Sequence, residues 1–67
     1  MSTTPAQDFL REIEAFLKDA GMSATAFGRS ALNDPNFVHD LRDGRMPNLG
    51  LVERVHKFIR SQKASAA

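Results

Sequence analysis

The chain has 67 residues, of which 42% are hydrophobic and 25% are charged, and its formal net charge at pH 7 is +1. This length predicts one small domain that buries only about 60% of its unfolded surface, and it leaves no room for a separate catalytic domain. Cysteine is absent, which excludes disulfides and thiolate metal sites. The first five residues lack a basic segment followed by an apolar run, and no apolar stretch approaches the roughly 18 residues of a membrane span. We therefore expect a cytoplasmic protein with no membrane partner.

The first predicted helix follows Thr4. Thr4 stands at the N-cap position, Pro5 at the first helical position and Gln7 at the third, which is the pattern of a capping box. Gly21 ends this helix of about fifteen residues. Its apolar side chains share one stripe at 100° per residue, which predicts a core helix. The stripe consists of Phe9, Leu10, Ile13, Phe16, Leu17 and Ala20.

Residues 23–45 predict two short helices joined by a turn at residues 33–35. Gly28 lies inside the first of them, where glycine costs about 1 kcal/mol relative to alanine, and a close approach of two helices supplies the packing reason. Asp34 stands at an N-cap and Pro35 at a first helical position, which predicts a second helix over about 35–43 that Gly44 closes. The apolar side chains between the two helices are Phe27, Ala31, Leu32, Val38 and Leu41.

The last predicted helix starts at Leu49, after a loop at Pro47 and an N-cap at Asn48. Its apolar stripe is Leu51, Val52, Val55, Phe58 and Ile59, and a basic face nearly opposite the stripe carries Arg54, Lys57 and Arg60. Residues 62–67 have no apolar periodicity, so we expect residues 1–67 to form one domain with an ordered core over about 5–61 and a flexible tail. Strand-like alternation is absent. The fold class is therefore all-α, a compact four-helix domain with a central helix-turn-helix.

Charge is distributed unevenly along the chain. Residues 1–28 carry two basic and four acidic residues, a balance of −2, whereas residues 29–67 carry seven basic and four acidic residues, a balance of +3. A phosphate-facing half and a solvent-facing half would show this asymmetry.

Residues 9–59 resemble a small helix-turn-helix domain of the lambda repressor/Cro superfamily, also called Xre-like. The resemblance rests on a core helix, a scaffold helix that begins Ser-Ala-Thr-Ala-Phe-Gly at 23–28, and a recognition helix that ends in Gly-Arg. Residues 44–49, Gly-Arg-Met-Pro-Asn-Leu, are similar to the Gly-basic-x-x-Pro-Ser-Leu segment of that family and are one residue shorter. Leu32 occupies a position where the family usually has a small residue, and the turn at 33–35 predicts a slightly longer or more angular connection. The resemblance implies a lambda repressor-like fold and a sequence-specific transcriptional regulator of bacterial or phage type, located at the nucleoid, that binds double-stranded DNA.

The resemblance also implies that the recognition helix enters the major groove. Val38 and Leu41 belong to its packed face, which leaves four candidates for base contact: Asn36, Phe37, His39 and Asp40. Asparagine suits adenine, phenylalanine a thymine methyl group, and aspartate a cytosine amino group. Two interpretations of Phe37 stay open, a core residue and a base contact, and His39 has the alternative of an exposed residue without a contact.

Phosphate contacts come from cationic and small polar side chains and from helix N-termini. The candidates are Ser23, Thr25, Arg29, Arg42 and Arg45. For Ser23 the alternative is a helix cap, and for the arginines it is a solvated surface charge. The basic face of the last helix has the same alternative. A membrane-surface role for that helix is disfavoured because its apolar stripe is needed for the core.

An enzyme is not expected. His39 and His56 lie 17 positions apart on different helices without a cysteine partner, and no nucleophile motif or phosphate-binding glycine loop is present, so we expect no catalytic residue, metal or cofactor. The alternative function is a protein-interaction module that binds an RNA polymerase subunit or another regulator through the same surface, which Asp40 and Asp43 favour. A single DNA-binding module covers only about 600 to 1,000 Å², so the DNA-binding interpretation predicts either a homodimer on a palindromic site or an auxiliary DNA-binding domain.

Overall fold

The computed structural model describes residues 5–65, and at Pro5 and Ser65 it describes the backbone alone. This part of the chain forms four helices, α1 (Pro5–Ala20), α2 (Ala24–Leu32), α3 (Phe37–Arg42) and α4 (Leu49–Ser65), and contains no strand. The predicted all-α class is confirmed for these residues. The predicted cap at Thr4 lies outside them. No helix in the described part of the chain combines the length and the hydropathy needed to cross a membrane.

The core takes apolar side chains from all four helices. Three phenylalanines, Phe16 of α1, Phe27 of α2 and Phe58 of α4, pack edge to face on one another, with ring centroids 5.5 to 6.3 Å apart. A further edge-to-face pair is formed by Phe9 of α1 and Phe37 of α3, with ring centroids 6.3 Å apart. The predicted stripe of α1 lies in or against this core except for Ala20, which is exposed. The buried residues are Phe9, Ile13, Phe16, Leu17, Ala24, Phe27, Phe37, Val38, Leu41, Val55 and Ile59.

Local signals end α1 and bracket α2. After Gly21, which has a left-handed φ of +64°, the chain turns back and the N–H of Met22 donates to the carbonyl of Leu17. The Ser23 hydroxyl then caps α2 by accepting a hydrogen bond from the Ala26 N–H at 3.1 Å. Asn33, with φ +57°, closes α2, because asparagine tolerates the left-handed conformation better than other side chains do.

The predicted start of α3 is two residues too early. The carboxylate of Asp34 accepts a hydrogen bond from the Asn36 N–H at 3.0 Å, and the Asp34 carbonyl accepts one from the Phe37 N–H at 3.2 Å. Asp34 and Pro35 therefore form a tight turn before the helix instead of its first residues, and Asn36 takes the N-cap position. Four residues, 33–36, connect α2 to α3. Gly44, with φ +96°, follows the end of α3 as predicted.

Helix α4 begins as predicted and ends later than predicted. The Asn48 side chain accepts a hydrogen bond from the Leu51 N–H at 2.9 Å, which is the geometry of an N-cap. The helix continues to Ser65, beyond the predicted end at residue 61. Residues 62–64, Gln-Lys-Ala, are good helix formers with no glycine or proline among them, so no local signal stops the helix.

Candidate nucleic-acid interface

The turn between α2 and α3 packs directly on Gly28. A Cβ atom at this position would overlap the backbone carbonyl oxygen of Asp34 and would lie 3.4 Å from the Cβ atom of Phe37. The carbonyl of Gly28 in turn accepts a hydrogen bond from the Asp34 N–H at 3.0 Å. The close approach predicted from Gly28 is thus present, although it is made by the turn and not by the middle of α3. It packs the turn and the start of α3 closely against α2.

The outer sides of α2 and α3 form a common surface. Thr25 Oγ1 and His39 Nε2 lie 3.4 Å apart and are both exposed, so the start of α2 meets the outer side of α3. Arg29 lies one turn after Thr25 on α2, and Asn36 lies three residues before His39, so these exposed residues share the surface. We call Thr25, Arg29, Asn36 and His39 the α2–α3 face.

Asn36 offers its side chain to a partner. Although Asn36 occupies the N-cap position of α3, its carboxamide makes no capping hydrogen bond. The carboxamide has no other hydrogen-bond partner within residues 5–65. A free carboxamide provides one acceptor and two donors, the set that recognises the edge of an adenine.

Phe37 belongs to the core. Its side chain is only 5% exposed and packs against the ring of Phe9. Because a buried ring presents no surface to a DNA groove, the core interpretation replaces the base-contact interpretation. Val38 and Leu41 are buried as predicted.

Two of the three candidate arginines are paired with carboxylates. Arg42 donates two hydrogen bonds to Glu14 of α1, from Nε to Oε2 at 2.8 Å and from Nη2 to Oε1 at 2.7 Å. These bonds hold the pKa of Glu14 below its usual value. Arg45 lies 3.9 Å from Asp40, and its side chain is 77% exposed, so this second pair is loose.

Arg29 differs from both, because it has no acidic partner in the described part of the chain. Ser23 uses its hydroxyl as the cap of α2, which realises the alternative interpretation of this residue. The cationic side chains of α4 are likewise without a carboxylate partner among residues 5–65, and they are Arg54, Lys57, Arg60 and Lys63.

The sequence did not indicate the partners of these charged residues. Glu14 and Arg42 are 28 positions apart, and Glu12 pairs with His56 from 44 positions away, with Oε2 and Nε2 3.1 Å apart. Neither spacing matches a helical repeat, so only the packing of α1 against the other helices brings the pairs together. Within residues 5–65, no three His, Asp or Glu side chains lie close enough to hold a metal ion.

Comparison with models of protein families, with curated protein sequences and with solved structures finds no match to this chain.

Proposed function

We propose that this protein is a sequence-specific DNA-binding transcriptional regulator of bacterial or phage type, with a helix-turn-helix of the lambda repressor/Cro kind formed by α2 and α3. The observation that carries the proposal is the contact between Thr25 and His39 over a turn packed on Gly28. This contact makes one surface from the start of a scaffold helix and the outer side of a short second helix. That combination is what a helix-turn-helix presents to a duplex, with the second helix in the major groove.

Each exposed residue of the α2–α3 face has a role in this proposal. Asn36 and His39 contact base edges, and the free carboxamide of Asn36 suits adenine. Arg29 and Thr25 contact phosphates, since Arg29 is a cation without a partner among residues 5–65. Arg45 is an additional phosphate contact, because its loose pair with Asp40 exchanges for a phosphate at little cost.

The active species in this proposal is a homodimer. One module of this size covers about 600 to 1,000 Å² of DNA-facing surface, which gives weak binding when it acts alone. Two copies on a palindrome, with half-sites about 34 Å apart, provide the missing contacts.

The proposal is tested by selection from a library of duplexes with about 20 randomised base pairs, which is long enough for two half-sites. The selected duplex and a scrambled duplex are then titrated at about 50 and 200 mM salt. We expect enrichment of a palindrome and affinity that falls steeply with salt.

Two variants separate the roles on the α2–α3 face. Arg29→Ala should weaken binding to both duplexes and reduce the slope of log affinity against log salt by about 0.9 for each phosphate that the variant no longer neutralises. Asn36→Ala should reduce the preference for the selected duplex and leave the slope unchanged. Arg54→Ala and Gln62→Ala, which remove an exposed cation and an exposed amide from α4, are the matched controls. Absence of an enriched sequence, or equal effects of Arg29→Ala and Arg54→Ala, would reject DNA recognition through this face.

A protein-interaction module is the second candidate function. It is favoured by the pairing of Arg42 with Glu14 and by the proximity of Asp40 to Arg45, which reduce the positive charge around α3. A compensated surface suits the surface of a polymerase subunit or another regulator better than a phosphate backbone. Capture of RNA polymerase by the wild-type protein but not by His39→Ala, together with no enriched DNA sequence, would favour this function over the first.

A further inference from the structure

The pair formed by Arg42 and Glu14 leaves one edge of the guanidinium free. Glu14 accepts from Nε and from one N–H of Nη2, which uses the side of the guanidinium nearest the side-chain stem. A guanidinium has five N–H donors, so three remain, two on Nη1 and one on Nη2. The Arg42 side chain is 42% exposed, and no other partner takes these donors within residues 5–65. The free edge is a planar pair of donors whose orientation Glu14 fixes.

Arg42 lies beside the α2–α3 face. Arg42 follows His39 by three residues, so the two side chains are neighbours on the surface of α3. The spacing places Arg42 at the border of the face, on the side where α1 packs against α3.

We propose that Arg42 contacts a guanine base and that Glu14 is the positioning residue that holds Arg42 for this contact. The proposal rests on the DNA-binding function proposed above and changes the role of Arg42 from a phosphate contact to a specificity-determining residue. The free Nη1–Nη2 edge donates to O6 and N7 of the guanine, the commonest specific contact of arginine with DNA.

The charge of the Arg42–Glu14 pair favours a contact with a base over a contact with a phosphate. Glu14 lies 2.7 Å from Nη2 and compensates the positive charge of Arg42, so the pair attracts a phosphate weakly and releases few counterions. Hydrogen bonding to a base edge depends on the direction of the donors more than on net charge. A fixed guanidinium also loses less side-chain entropy when it binds, because its orientation is set in advance.

The test uses the full chain and the duplex selected from the random library. Each guanine of one half-site is replaced in turn by 7-deazaguanine, which lacks the N7 acceptor and leaves the Watson–Crick edge intact. For the wild-type protein we expect one position at which this replacement weakens binding about tenfold, as expected for one hydrogen bond to a charged donor. Replacement of the same base pair by another should weaken binding by about 5- to 150-fold.

Three variants then assign the effect. Arg42→Lys keeps the charge but has no planar edge, and Glu14→Gln removes the carboxylate that orients Arg42. Both should lose most of the discrimination between the normal and the 7-deaza duplex at that position. Arg42→Lys should keep the salt dependence of the wild type, whereas Glu14→Gln leaves the charge of Arg42 uncompensated and should make the salt dependence steeper. Glu12→Gln removes the same group from the same helix two residues away, where it faces His56 of α4, and should keep the full N7 dependence.

The two proposals fail in different ways. If the wild type enriches no sequence, the proposed function fails and this inference fails with it. If a sequence is enriched but no guanine shows N7 dependence, or Glu14→Gln keeps the N7 dependence of the wild type, the function stands and the inference is overturned. If the pair were purely structural, Glu14→Gln would lose free energy of unfolding but would discriminate between the normal and the 7-deaza duplex as the wild type does.

Discussion

Gly28 is the residue on which the geometry of α2 and α3 depends, and Gly28→Ala tests this. In an exposed helix, alanine would stabilise the protein by about 1 kcal/mol relative to glycine. Here the added Cβ overlaps the carbonyl of Asp34, a backbone atom that moves only with the whole turn. We expect the free energy of unfolding, measured with urea, to fall by about 1 to 3 kcal/mol.

The matched control for this substitution is Ser30→Ala, at an exposed position of the same helix. We expect a change within about 0.5 kcal/mol for the control. A Gly28→Ala protein as stable as the wild type would show that the turn does not need the space at residue 28, and the close packing of α2 against α3 would need another explanation.

Single residues also show where the sequence was informative and where it was not. Gly28 was predictable because a glycine inside a helix requires a reason that packing supplies. The burial of Phe37 was not, because on a helix of six residues a side chain at the border between packed and exposed positions fits both patterns. The carboxylate partner of Arg42 could not be predicted from the sequence for another reason, because no periodicity connects residues 28 positions apart.

Helix α4 starts at a side-chain cap, and Asn48→Ala tests this cap. The substitution removes the acceptor of the Leu51 N–H and leaves that donor without its cap. We expect a loss of about 1 kcal/mol in the free energy of unfolding, measured with urea. Asn48→Asp is the control, because its carboxylate keeps an acceptor and interacts favourably with the helix dipole. Equal losses for the two variants would mean that the side chain of residue 48 acts in some way other than as a cap.

The ends of the helices show how far local signals determine the fold. Gly21, Gly44 and Asn48 act at the helix ends for which the sequence predicted them, and Ser23 is the helix cap that was the alternative to its predicted phosphate contact. Asp34 and Pro35 do not start α3 as predicted. The same two residues favour both the first turn of a helix and a tight turn before a helix. The packing of this turn on Gly28 accompanies the second conformation. Local sequence therefore predicted four helices and most of their bounds, whereas the start of α3 required tertiary contacts.

At the scale of the whole molecule, the pair of Glu14 and Arg42 joins α1 to α3 and makes stability depend on pH. The hydrogen bonds from Arg42 lower the pKa of Glu14 below the unfolded value near 4.5. A lowered acid pKa contributes stability that is complete above the unfolded pKa and is lost as the pH falls through the folded pKa. Because both side chains are about 40% exposed, the contribution is at most about 1 kcal/mol.

Urea unfolding between about pH 6 and pH 3 measures this contribution. The stability of the wild type should fall more than that of Glu14→Gln over this range, and the two curves should converge at the acid end. The other carboxyl groups titrate in both proteins, so the difference isolates Glu14. Parallel curves would show that the pair does not contribute to stability.

The five phenylalanines hold the four helices together, and a domain of this size has little stability to lose. Phe27 is fully buried and contacts Phe16 of α1 and Phe58 of α4, so its ring joins three helices. Replacement of a buried phenylalanine by alanine costs about 3 to 5 kcal/mol, and the core of a domain below about 70 residues rarely supplies more than that. We therefore expect Phe27→Ala to be largely unfolded at 25 °C by far-ultraviolet circular dichroism.

Phe27→Leu fills most of the same volume and should remain helical with reduced stability, which distinguishes loss of packing from a requirement for an aromatic ring. A folded Phe27→Ala protein would mean that interactions outside the aromatic cluster hold the helices. If Phe27→Ala unfolds as expected, every binding variant must first be shown to retain the helical signal of the wild type. A small decrease in stability would lower the concentration of folded protein, and this decrease would imitate weaker binding to DNA.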